Sequence, residues 1–143
     1  MAFIYFDTVH AVEVHDEIII KSGGVLGLLN RGLLDSTLEH VQNDLYYPNL
    51  EDKVTHLFHS INKNHSFQDG NKRASIVLSA YFLEINGLDS RVSVFMERME
   101  NIAVYVADNK IDKDLLFEII QSIIYEADYS ETLKLKIYNA LIK

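Results

Sequence analysis

The feature that most limits what this chain can become is the run from Ala74 to Ile85, which is apolar at nearly every position. It contains Ile76, Val77, Leu78, Ala80, Tyr81, Phe82 and Leu83, with no proline or glycine. A helix that is apolar on most of its sides has to sit inside other elements rather than on the surface. Gly70-Asn71 stands at its start and Asn86-Gly87 at its end, both suited to helix termini. The chain is therefore expected to wrap around one central helix over 72–85.

The remaining periodicities agree. Asp7 or Thr8 caps a helix to about Lys21, and Gly23-Gly24 stops it. Phe3 to Phe6 reads as an extended lead. Leu34, Leu38, Val41 and Leu45 share helical spacing, which predicts a second helix over 33–45. The only proline, Pro48, breaks it. A third helix runs from Leu50 or Glu51 to Asn64, with Val54, Leu57, Phe58 and Ile61 facing inward. Further helices are expected over 95–108, over 113–126 behind an Asp112 cap, and from Asp128 or Ser130 to Leu141. Strand signals are scarce. The fold class is all-α, a bundle of about six to seven helices forming one domain over 1–143.

Immediately before the central helix lies His65-Ser66-Phe67-Gln68-Asp69-Gly70-Asn71-Lys72-Arg73. A core segment has no use for that mixture. A helix N-terminus offers unpaired N–H donors and attracts anions. Gly70 allows close approach to the backbone. Lys72 and Arg73 are poorly placed for the helix dipole unless an anion sits beside them. Arg73 suits bidentate contact with phosphate oxygens, and Lys72 suits a mobile point charge. Asp69 beside bound phosphates matches the hard oxygen ligands that Mg²⁺ requires. His65 is the one group here that titrates near neutral pH unperturbed, and is assigned as general base toward an incoming hydroxyl. No Walker A sequence is present.

These nine positions resemble the signature of the Fic/Doc superfamily, H-x-F-x-[DE]-[GA]-N-[GK]-R, in its death-on-curing (Doc) form with Lys in the penultimate place. Further text is similar: His15-Asp16-Glu17, Ser22-Gly23-Gly24, Gly32-Leu33-Leu34-Asp35-Ser36 and Phe82-Leu83-Glu84-Ile85-Asn86-Gly87, so the likeness covers about residues 3–110. The resemblance implies a Fic-fold helical bundle with a short flap. It implies His65, Asp69 and Arg73 as catalytic residues and Gly70, Asn71, Lys72 and Arg73 as nucleotide-binding residues. It further implies Asp69 as ligand of Mg²⁺, ATP as donor, and Phe67 packed inward.

Two positions differ from the adenylylating pattern: Lys72 stands where it has Gly, and Ile76 where it has a second Arg. That arginine holds the γ-phosphate so that the α-phosphate faces the attacker. Its absence points to phosphoryl transfer. By resemblance the target hydroxyl belongs to translation elongation factor Tu, and a small antitoxin with a disordered tail neutralises the toxin. Transfer of AMP to Ser, Thr or Tyr, or a degenerate module that only binds nucleotide or a partner, remain alternatives. Residues 44–51 are expected either as a flap holding the target segment as an added strand or as a plain turn. Ser122 and Glu126 approach a self-inhibitory motif but end in Ala127, and read as helix surface. His56 and His59, three residues apart, suit packing or surface roles better than a zinc site, since no third ligand is evident.

The net charge of −8 disfavours direct nucleic-acid binding, with Lys63, Lys72 and Arg73 as an island of cations near the site. The chain has no cysteine, no signal-peptide pattern and no apolar stretch near the ~18 residues a membrane span needs. A cytoplasmic protein is expected.

Overall fold

Side chains placed at helix entries do what their positions promise. Asp7 accepts the His10 N–H at 2.9 Å and opens α1 (Thr8–Ser22). Asn30 accepts Leu33 N–H at 3.1 Å and opens α2 (Arg31–His40). The Asp52 carboxylate reaches back to the Asn49 N–H at 3.1 Å at the start of α3 (Leu50–Asn64). Asp112 and Ser130 cap α6 (Lys113–Tyr125) and α7 (Glu131–Leu141) in the same way. Between them run α4 (Asn71–Ile85) and α5 (Asp89–Ala107). The computed structural model describes residues 2–143. Among these the structure is seven helices without a strand, so the all-α expectation holds. No helix among the described residues is long and apolar enough to cross a membrane.

The core lies where α4 packs along α3 on one side and α5 on the other, with α6 against α3. Val54, Leu57, Phe58 and Ile61 of α3 and Leu78 and Leu83 of α4 are fully buried. α4 is central as expected, but α3 is the more enclosed: nine of its residues are buried against seven in α4. Carboxamides secure both ends of α4. Asn71 donates to the Phe67 carbonyl at 3.0 Å and accepts its N–H at 3.1 Å. Asn86 does the same for Ile4, at 3.0 and 2.8 Å, and so fastens the extended lead.

Two helix boundaries and the burial of one side chain differ most from the sequence expectation. α2 stops at His40, short of Leu45, because local side chains capture the backbone there. Asn43 Oδ1 accepts the Leu45 N–H at 3.0 Å, and Lys53 Nζ donates to the Val41 carbonyl and to Asp44 Oδ1, each at 2.8 Å. Leu45 is then 93% exposed despite its helical spacing. α5 begins at Asp89 rather than Phe95; an acid in the first turn suits the dipole, and Arg91 ties that turn to the Ile123 carbonyl at 2.6 and 2.8 Å. Ser122 is buried rather than on the surface, while Glu126 is exposed.

Lys53 is the largest fully buried side chain. Its ammonium also lies over the Phe3 and Tyr5 rings, at 5.0 and 5.6 Å. His56 takes a packing role. Its Nε2 lies 3.1 Å from the Thr37 carbonyl and its ring stacks on Tyr47 at 4.3 Å.

Burial lowers the His56 pKa from 6.5 to about 4, and burial lowers that of His59 as well. The unfolded chain thus binds more protons than the native one between those values, and native stability falls as pH drops from 6.5 toward 4. Urea midpoints across that window should record a loss of about 2 kcal/mol at His56. A His56→Gln variant should show a shallower slope over the same range, and an unchanged slope would refute the assignment.

Candidate active site

Residues 65–70 of the nine-residue stretch form the turn that joins α3 to α4, and Asn71, Lys72 and Arg73 make the first turn of α4. Both of its ends are left-handed. His65, the C-cap of α3, has φ 50° and ψ 47°, and Gly70, the N-cap of α4, has φ 73°. Two such residues reverse the chain within a short loop, and a glycine at the second removes the Cβ penalty. Phe67 is fully buried between them, as the sequence implied.

His65, Asp69, Gly70, Asn71 and Lys72 line one cavity of about 190 Å³, together with Asn62, Gln68 and Ala107. His65 and the helix tip therefore line a common space, and His65 is exposed to solvent. The Gly70 and Val25 N–H groups donate to Asp69 at 2.7 and 3.2 Å. These bonds, with a smaller contribution from Arg73, hold the carboxyl of Asp69 below its ordinary range, so it is an anion at neutral pH.

The remaining charged groups are distributed less simply. Lys72 is exposed at the cavity. Arg73 does not line it. Its Nη1 donates to Ser22 Oγ and, at 3.3 Å, to the Gly23 carbonyl, at the C-terminal end of α1. The Asn71 carboxamide is engaged on Phe67, which leaves its backbone rather than its side chain facing the tip. Lys63 is not part of a cationic island: it caps α5, donating to the Val106 and Ala107 carbonyls at 3.4 and 3.3 Å and to Asn109 Oδ1 at 2.5 Å.

The segment between α1 and α2 lies along the reactive loop. The Ser66 carbonyl accepts the Leu29 and Asn30 N–H groups at 2.8 and 2.9 Å, Gln68 N–H donates to the Gly27 carbonyl at 3.1 Å, and Leu28 bridges Phe67 antiparallel. Gly24, at φ 131°, leaves room for the acid; a Cβ there would stand 2.6 Å from Asp69 Oδ2. Gly24→Ala should therefore displace that carboxylate and lower stability by about 1–3 kcal/mol through backbone strain, read as a lower urea midpoint. An unchanged midpoint would refute it. The suggested flap forms turns, not a strand; its Tyr47 stacks on His56, roughly 14 Å of helix before His65.

A family model described as the Fic/DOC family matches residues 5–83. The chain belongs to the Fic/DOC family. It is also similar to the protein named Toxin Doc of Mycolicibacterium smegmatis, with 35% identity over 99 residues, 66% of this chain and 76% of that protein. The matched region of the Fic/DOC model takes in α1 to α3 and α4 up to Leu83, and so includes the whole stretch from His65 to Arg73. Ser122 and Glu126 lie outside it. They stand at the C-terminal end of α6, where Tyr125 donates to Glu51 in the first turn of α3 at 3.1 Å, the end of α3 opposite His65.

Sequence reasoning did not single out His15 as a site-supporting residue. It lies on the buried stripe of α1 with Ala11 and Ile19, and its Nε2 meets the Asp69 carbonyl at 2.6 Å. A histidine at i+4 from one apolar stripe position and i−4 from another was the available signal.

Proposed function

We propose that this chain is a Doc-type toxin that moves the terminal phosphoryl group of ATP onto a hydroxyl side chain of a target protein. The observation that carries the reading is the shared cavity, with His65 on its wall and the Gly70-Asn71-Lys72 tip facing the same space. The helix N-terminus and Lys72 attract the phosphates, and His65 takes the proton of the incoming hydroxyl. The oxygen–phosphorus bond forms as the bond to the ADP oxygen breaks, a transfer that asks for placement and charge neutralisation.

Asp69 fits Mg²⁺, because its carboxylate is a hard anion at the tip of α4. Mg²⁺ held there would neutralise charge on the phosphates. Arg73 reaches the phosphates by exchanging Ser22 and Gly23 for them. Ile76 supports terminal phosphoryl transfer over AMP transfer. It is half-buried against the core, so this turn of α4 offers no second guanidinium to hold a γ-phosphate.

The name of the smegmatis relative supports a toxin paired with an antitoxin. Translation elongation factor Tu is the first target to test, with the cytoplasm as the site of action. Intact-mass analysis of that factor after incubation with the chain, ATP and Mg²⁺ should show the gain of one phosphate. Gain of AMP would overturn the phosphoryl reading and retain the family chemistry. No gain, with Mg·ATP binding intact by calorimetry, would remove this target.

A further inference from the structure

Beside the reactive loop the chain buries an imidazole that the transfer chemistry leaves unused. His15 of α1 is fully enclosed. Its ring lies parallel to that of Phe67, with centroids 3.9 Å and planes 5° apart. Nε2 donates to the Asp69 carbonyl oxygen at 2.6 Å, while Nδ1 faces Asp16 Oδ1 at 3.0 Å. That same Asp16 oxygen receives the Gly27 N–H at 3.4 Å, which links the ring to the segment running along the reactive loop.

The Asp69 carbonyl and the Gly70 N–H belong to one peptide unit. No peptide bond among the described residues is cis. In a trans unit the C=O and N–H point in opposite directions. A hand on the carbonyl from inside the protein therefore directs the N–H outward. There it donates to the Asp69 carboxylate at 2.7 Å, at the residue that caps α4 and lines the cavity. Glycine's own backbone preference does not enforce that orientation, since glycine occupies several backbone regions at similar cost; the Asp69 carboxylate holds the N–H from one side and His15 holds the carbonyl from the other. The space around it is closed on the same side: a Cβ on Gly70 would lie 2.8 Å from Ile19 Cδ1 and 3.5 Å from His15 Nε2.

We propose that His15 is a positioning residue, whose Nε2 sets the plane of the Asp69–Gly70 peptide and so aims the first N–H of the anion-binding tip into the cavity. Asp16 Oδ1 lies 3.0 Å from Nδ1 on the other side of the ring. The competing view is that the ring only fills space against Phe67. A phenylalanine at position 15 separates the two, because it keeps the stack and removes both nitrogens. The functional consequence rests on the phosphate-handling role proposed above, whereas the orientation of the peptide does not.

The test uses the full chain labelled with ¹⁵N and reads the Gly70 amide directly. In nucleotide-free His15→Phe, the Gly70 resonance should shift and its hydrogen exchange should rise about tenfold, the order expected for one lost hydrogen bond. Mg·ATP affinity by calorimetry should fall by a similar factor. His15→Gln keeps a donor near the Nε2 position and should return the Gly70 amide toward its wild-type shift. If His15→Phe leaves that amide unchanged in shift and exchange, the inference is overturned. If His15→Phe does not fold, His15→Gln decides alone: a wild-type-like amide supports the inference and a released one overturns it. If the amide responds but even the wild-type chain does not bind Mg·ATP, His15 still orients the peptide, and it is the nucleotide-transfer reading that fails.

Discussion

On the mechanism proposed above, exchanging His65 for asparagine should slow transfer to the target by about 10²–10⁴-fold, the usual contribution of a general base. The variant is chosen for the backbone. Residue 65 sits at φ 50°, ψ 47°, a region asparagine tolerates well. Its side chain is exposed, so the exchange opens no void in the core. Circular dichroism and Mg·ATP titration should match the wild-type chain, because the α4 tip and Asp69 are untouched. The defect belongs in the rate of the chemical step, read by intact mass over time at saturating nucleotide. A variant that transfers at the wild-type rate would move the base elsewhere and remove the meaning given to the shared cavity.

The largest stability effect should come from a residue far from that chemistry. Lys53→Ala removes a fully buried stem from beneath Phe3 and Tyr5 and leaves the Val41 carbonyl without its donor. Loss of a long buried side chain together with an unmet acceptor costs about 3–5 kcal/mol. That is a large share of the roughly 5–15 kcal/mol available to a domain. Lys53→Met refines the point. It fills most of the same volume and loses only the charged head, so its cost should be nearer the 1–3 kcal/mol of an unsatisfied carbonyl. Neither variant carries a charge at position 53, so the difference between the two should hardly change with salt. Equal urea midpoints for wild type and Lys53→Ala would show that the α2–α3 turn does not depend on this contact.

Much of the architecture was readable before any coordinate. α3 runs over Leu50–Asn64 as expected, because Pro48 stands just before it and four apolar residues share one face. α4 was readable from its unbroken apolar run and α6 from Asp112. The errors at Leu45 and Lys63 share a cause, since each involves a partner distant in sequence. Leu45 has helical spacing, but Lys53 from α3 captures the preceding turn. Lys63 resembles a cation for a ligand until the α5 carbonyls come into view.

The site shows the same division. Its residues and their order identify the loop, and the cavity joins His65 to the helix tip. Composition could not show that Arg73 rests on Ser22 and Gly23, or that both polar atoms of Asn71 are engaged on Phe67. Those facts arise from the way α1 and the segment behind it fold across the loop.

The left-handed backbone at position 65 has an evolutionary corollary. Glycine or asparagine suits that dihedral pair at least as well as histidine, so a search for sturdier variants that scores folding alone has no reason to keep the ring. Heat-selected libraries of this chain should drift at residue 65, whereas libraries selected for growth arrest should not. Comparing the two kinds of survivor would separate what the fold wants at that corner from what the chemistry demands.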